Sequence, residues 1–188
     1  MAGDRQAFKD AMRAAADVAW DQDWDRAVAA YQRALDEFPD DTEALTGLGM
    51  ALLRLGRRGE ALDIHRHPSE AAPDDPSILE QLGSILKDVG RAGEASQAYL
   101  RAGHLYAEQQ GDRQLAERCW EKAVRADPEA VQPHAALLKH YQQSRRIEAA
   151  VDECIILARI YAEQGRTGYA IQVCQHALKL TPRHSEAL

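Results

Sequence analysis

The side chains of this 188-residue chain that could do chemistry are seven histidines, three cysteines and 30 Asp and Glu residues. Their spacing argues against most of it. His65 and His67 stand two apart, so on a helix they point in different directions and cannot share a ligand. His104 takes a place that other segments give to a small residue, and it reads as structural. Cys119, Cys154 and Cys174 lack the paired spacing of a structural zinc site. Each falls at or beside a recurring bulky position in a helical stretch, which suits buried, reduced thiols acting as small apolar side chains. Carboxylate pairs are plentiful, but helices rich in Asp and Glu produce them by chance on solvated faces. No glycine-rich phosphate loop, nucleophile elbow or metal-ligand run is present. The chain is therefore read as non-catalytic, with no cofactor and no metal.

The elements that carry these residues repeat. Ala27, Ala61, Ala95, Ala116, Ala150 and Ala170 are each followed four residues later by a bulkier side chain: Tyr31, His65, Tyr99, Trp120, Cys154 and Cys174. The alanines are spaced by 34, 34, 21, 34 and 20 residues, and an interval of 34 marks a stacked helical-hairpin array. Sparse β-branched and aromatic residues agree with helices. Residues 8–41, 42–75 and 76–109 align without a gap. A first helix carries Leu45, Leu48, Gly49 and Leu52, matched by Leu79, Leu82, Gly83 and Leu86. Gly56 and Gly90 stop these helices, where a left-handed residue is easy for glycine. The second helix sets Ala27, Tyr31 and Ala34, or Ala95, Tyr99 and Ala102, on one face. Pro39 and Pro73 end the units, and Asp75-Pro76 supplies a cap and a first-turn residue. Pro68 stands where Ala34 and Ala102 stand in the neighbouring repeats, and it predicts a kink or early stop near His67, either a hinge or a tolerated irregularity.

The two short intervals leave room for only one helix and its turn. Gly93–Gln110 matches the second-helix pattern through Ala95, Tyr99 and Ala102, and the first-helix pattern through Leu100, Gly103 and Ala107. Glu148–Gln164 repeats this doubling, and Gly111 and Gly165 close the two stretches. The chain thus reads as hairpins 8–41 and 42–75, then three-helix units 76–128 and 129–182, with about ten helices. The long shared helices, about 93–110 and 148–164, span roughly 27 Å at about 1.5 Å per residue. They are expected to interrupt or redirect any groove, and twelve helices in regular pairs would exclude them. Residues 183–188 read as the start of a further helix, as though the chain were truncated.

A Leu-Gly pair in the first helix, then Ala, a bulky residue, Ala and Pro in the second, resembles the tetratricopeptide repeat (TPR) family. The likeness covers about residues 8 to 182, with Ala14-Ala15 departing from Leu-Gly in the first repeat. It implies an all-α, right-handed α-solenoid forming a single array over 1–188. It also implies a non-catalytic scaffold or adaptor that takes a protein or peptide on its concave face. By repeat position that face holds Met12, Trp20, Met50, Leu53, Arg54, Lys87, Asp88, Arg101, Leu105, Lys139, Gln143 and Arg159. Its first part is apolar and adaptable, though Trp20 could instead pack on Trp24 or a neighbouring helix. Family members that clamp a chaperone's C-terminal carboxylate use Lys, Arg and Asn at positions held here by Met12, Ala16, Gly47, Ser77 and Gln81, so a clamp of that type is not expected. An incomplete hairpin leaves apolar surface uncovered, so homo-oligomerisation is the rival reading.

The net charge of −7 disfavours nucleic acid, including the basic surfaces of related RNA-binding helical repeats. Residues 1–41 hold ten acids and five bases. Among these acids Asp21, Asp23, Asp25, Asp36, Glu37, Asp40 and Asp41 read as a solvated terminal cap, with a docking patch for a basic partner as the alternative. No apolar run reaches the roughly 18 residues of a membrane span, and Met1 to Arg13 lacks the apolar centre of a secretory signal, so a cytoplasmic location is expected.

Overall fold

The computed structural model describes residues 3–71 and 75–180, leaving aside the side chains of 65–71 and 110. Pro73, Pro182 and the expected helix start at 183–188 lie outside the described residues. Among the described residues the chain is an all-α helical solenoid of ten helices without a strand. In order these are α1 (Arg5–Trp20), α2 (Trp24–Glu37), α3 (Thr42–Arg54), α4 (Arg58–Ala71), α5 (Pro76–Asp88), α6 (Ala92–Leu105), α7 (Arg113–Ala126), α8 (Val131–Gln143), α9 (Ile147–Glu163) and α10 (Thr167–Leu180). A π turn, Tyr106–Gln110, continues α6 without a gap, so the first shared helix forms as one rod. Its extra residue shows in the turn that follows, where the Asp112 N–H reaches back six residues to the Tyr106 carbonyl at 3.0 Å.

Much of the acidic composition goes into starting these helices. Asp4, Asp23, Asp41, Asp75 and Asp112 sit at N-caps and accept from amides of the first turn, each contributing about 1 kcal/mol. The stops are as regular. Gly56, Gly90, Gly111 and Gly165 have φ of +72°, +81°, +66° and +70°, and Gln22 and Arg145 hold the same left-handed turn without being glycine. Asp23, Arg57, Arg91, Arg146 and Arg166 each donate a backbone N–H to the carbonyl five residues back. Arg57 and Arg91 then pair with Glu60 and Glu94 one turn into the next helix.

Pro68 does not end its helix, since α4 runs to Ala71. The expected early stop near His67 is therefore absent. A single missing amide removes one ladder bond, and the turns on either side carry the backbone across. What proline does impose is an Ile64 carbonyl without its usual donor four residues on.

Contacts divide the chain inside α6 into two compact units, Met1–Ala95 and Ser96–Leu188. The first has a core of Ala27, Val28, Leu48, Ala51, Leu52, Ala61 and Ile85. Tyr31 of α2 lies so close to α3 that a Cβ on Gly47 would stand 2.3 Å from its ring. Gly49 and Gly83 are buried as well. In the second unit α9 packs on both α8 and α10, as α3 packs on α2 and α4 in the first. Its core includes Tyr99, Tyr106, Cys119, Trp120, Leu137, Cys154, Leu157 and Ile160. The six recurring alanines are all buried, five of them completely, which explains why the pattern keeps them small.

Candidate functional site

In the first unit, α3 and α5 present side chains one turn apart: Thr46, Met50 and Leu53 on one, Gln81, Ser84, Ile85 and Asp88 on the other. These seven line a groove of about 120 Å³. Three of the residues expected to bind a partner, Met50, Leu53 and Asp88, are thereby brought together. Apolar side chains form the middle, and Asp88 supplies charge at one end. At the other end the Thr46 hydroxyl shares its proton between the Thr42 carbonyl, 2.6 Å away, and Gln81 Oε1, 2.8 Å away. Gln81 is thus positioned by its neighbour. Met50 is half exposed, at 50%.

None of the other expected residues is buried. Met12 is half-buried on α1, and Arg54 and Lys87 are exposed. Trp20 is 88% exposed, which overturns its packing on Trp24 or a neighbouring helix. It is Trp24 that is covered, with the Arg54 guanidinium 5.7 Å from its ring centroid. In the second unit Arg101, Lys139, Gln143 and Arg159 are exposed and Leu105 is half-buried, spread over α6, α8 and α9. Arg159 pairs with Glu129 at 3.5 Å and with Glu163 at 4.0 Å.

A larger cavity, about 770 Å³, opens on another face of α3, between α2 and α4. Leu35, Pro39 and Ile64 wall it, with Leu45, Leu48 and Leu52 behind them. The sequence pattern did not reveal it, because its width depends on where α4 stands relative to α2. At the end of the described chain a cleft of about 280 Å³ lies between α9 and α10, lined by Val151, Cys154, Ile155, Cys174, Ala177 and Leu178. Here one expectation fails: Cys119 and Cys154 are buried thiols, but Cys174 is exposed. It lies on the outer helix of the described array, where no further helix covers the recurring bulky position. Burial pushes the Cys154 thiol up, with a smaller contribution from Cys174.

Two histidine networks also escaped the sequence reading. His134 Nδ1 lies 2.7 Å from Glu153 Oε2, and its Nε2 lies 3.1 Å from the Pro128 carbonyl. A carbonyl only accepts and a carboxylate accepts, so the arrangement favours the imidazolium form, in which both ring nitrogens donate. Burial opposes that charge, yet the Glu153 and Pro128 hydrogen bonds hold His134 above its ordinary pKa. The pair is buried, His134 at 2% exposure and Glu153 at 9%, so no substrate reaches it. Its work is to join α8 to α9. Nearby, Glu117 of α7 takes His140 at 3.1 Å and Arg146 at 2.5 Å. Trp120 lies between the His104 and His140 rings, at 5.6 and 5.7 Å, which gives His104 the structural place expected of it. A 19-residue separation across one helical turn-back is the only sequence signal for the His134–Glu153 pair. Among the described residues no group of three or more His, Cys, Asp or Glu could hold a metal ion. No described helix is long and apolar enough to cross a membrane.

Comparison with known proteins agrees with this architecture. One tetratricopeptide-repeat model matches residues 21–85, and a second matches 96–129 and 154–184. The second model's two matches begin inside α6 and inside α9. No curated protein matches the chain. Among solved structures, MamA is 17% identical, covering 96% of this chain and 95% of its own, with a TM-score of 0.47. PilF of Pseudomonas aeruginosa is 14% identical over 95% and 93%, with a TM-score of 0.47. PilW is 18% identical over 96% of each chain, with a TM-score of 0.46. The family matches together span more than half of the sequence, and helical hairpins with buried repeat alanines are what they describe: the chain belongs to the tetratricopeptide-repeat family, an architecture for protein–protein interaction whose members are in general non-catalytic scaffolds.

Proposed function

We propose that the chain is a single-array adaptor that takes a protein or peptide partner on the face formed by its first helices. The observation that carries this is the convergence of Met50, Leu53, Ile85 and Asp88 in one groove. Stacked hairpins build such a face from elements that could not bury their cores alone. Exposed Trp20, Arg54 and Lys87 in the same unit extend its chemistry; Arg101, Leu105, Lys139, Gln143 and Arg159 hold the corresponding repeat positions of the second unit. A stable complex buries about 800 Å² on each partner, more than one small groove provides, so neighbouring side chains must share the contact. A carboxylate clamp of the chaperone-binding kind is disfavoured, because Gly47 lies against Tyr31 and Gln81 is engaged by Thr46. The acidic balance speaks against nucleic acid, and the reading requires neither membrane insertion nor a cofactor.

The test is affinity capture with the full chain, followed by calorimetry on the purified pair. Met50→Glu should weaken binding at least tenfold, as expected for a contact at an interface centre. Unchanged affinity would remove the groove from the interface.

A second reading, self-assembly, is favoured by the apolar side chains on α9 and α10. Ile155, Ile171 and Leu178 are 61%, 53% and 48% exposed, and Ile155 and Leu178 line the same cleft. Light scattering at high micromolar concentration separates the two: a monomer speaks for the adaptor, a dimer abolished by Ile155→Asp for self-assembly.

A further inference from the structure

We propose that the cavity between α2 and α4 is a second docking site, for a protein segment that sets a large apolar side chain between lysines or arginines. The site shares no residue with the α3–α5 groove and stands or falls separately from it. Three observations lead there. The first is size: about 770 Å³ accommodates several side chains. The second is the wall, which the partly covered side chains of Leu35 from α2 and Ile64 from α4 line together.

The third observation is charge, and it selects the occupant. Asp36 and Asp40 stand on the α2 side of the rim, with Glu60 and Asp63 on the α4 side. Glu60 is paired with Arg57, but among the described residues Asp36, Asp40 and Asp63 have no cationic partner. Met1–Ala95 carries 11 Lys and Arg against 19 Asp and Glu, a net of −8, whereas Ser96–Leu188 carries 12 against 11. The long-range field and the local rim therefore act in the same direction, drawing cations toward this unit and repelling anionic surfaces. Acids on both sides of an apolar opening call for at least two positive charges flanking one apolar group. A peptide segment supplies that; a single small cation does not. Of the acids that read as a solvated cap, Asp36 and Asp40 thereby belong to the docking alternative.

The test uses the full chain and a fluorescent synthetic peptide of leucine and lysine at helical spacing, read by anisotropy. A second peptide with every lysine replaced by glutamate is the control. The lysine peptide should bind and the glutamate peptide should not, and added salt should weaken the complex. Asp36→Lys/Asp63→Lys should lose affinity at least tenfold. The charge-matched Asp17→Lys/Asp25→Lys, on exposed positions outside the cavity, should lose less than threefold. Equal losses in the two variants would reduce the effect to net charge and overturn the site. Methyl NMR on the unaltered chain needs no variant to fold: Leu35 and Ile64 should shift on adding the lysine peptide. Shifts confined to Leu53 and Ile85 would overturn the proposal in favour of the α3–α5 groove. A dimer of the chain alone, dispersed by Asp36→Lys/Asp63→Lys, would overturn it in favour of a second copy.

Discussion

Replacing Gly103 with alanine should destabilise the protein, although alanine is the better helix former. A Cβ there would lie 2.4 Å from Trp120 Nε1, 2.6 Å from its Cδ1 and 3.0 Å from its Cε2. Carbon contacts are comfortable near about 3.5–4.0 Å, so the indole must retreat by roughly an ångström. It has little room: Trp120 is 6% exposed and lies between two imidazole rings. Overpacking of this kind costs about 1–3 kcal/mol, with the upper end fitting a confined ring. Alanine returns about 1 kcal/mol of helix propensity. The net is a loss of about 2 kcal/mol, or roughly 4–8 °C in Tm for a chain of this size. Gly168 in α10 is the control, because a Cβ there meets nothing within 4 Å and should be neutral or stabilising by up to about 1 kcal/mol. Urea unfolding followed by circular dichroism measures both variants. In a Trp120→Phe background the loss at Gly103 should shrink, since the pyrrole atoms in the clash are gone. That change also removes an indole N–H that is buried without a partner. If Gly103→Ala matched Gly168→Ala, the close approach between α6 and α7 would be wrong, and with it the reading of α6 as the first helix of a hairpin.

Four further outcomes are expected. Glu153→Gln should cost about 1–3 kcal/mol at mildly acidic pH by leaving His134 without its carboxylate. Because His134 is held above its unfolded value of 6.5, its stabilisation is complete below pH 6.5 and fades as pH rises through the folded-state pKa; the variant should flatten that decline in pH-dependent melting curves. Arg145→Gly should stabilise by up to about 1 kcal/mol in chemical denaturation, since Arg145 holds φ at +58° where glycine is unstrained. Iodoacetamide should alkylate Cys174 in the folded protein, with Cys119 and Cys154 following only in denaturant, as mass spectrometry would count. Ala116→Leu should destabilise by about 1–3 kcal/mol in the same unfolding assay, because the alanine is completely buried and three added carbons must displace its neighbours.

What was readable in the chain follows from which signals are local. The alanines at a 34-residue step, the capping Asp75 before Pro76 and the glycine stops are each decided within one helix or turn, and each took its expected place. The doubled pattern in Gly93–Gln110 was legible because two helix signatures overlap on the same residues. The early stop expected at Pro68 does not occur, because a proline's local penalty is set against the cooperativity of the surrounding turns. Cys174 misled because a repeat position is buried only where a neighbour covers it. His134 and Glu153 meet through the angle between two helices, and the α2–α4 cavity through the placement of α4, and neither quantity is written in any one segment. Of the expected partner-binding residues, Met50, Leu53 and Asp88 converge because α3 and α5 repeat the same register.

The measurement that bears most directly on the adaptor reading is site-specific photo-crosslinking from position 50. With the captured partner purified, a photoreactive residue replacing Met50 should crosslink to it in high yield, and Asp88→Lys should suppress the yield. The same residue placed at the exposed Ile155 should give little product. Crosslinking that is absent at position 50, or equal at 50 and 155, would contradict a partner seated between α3 and α5.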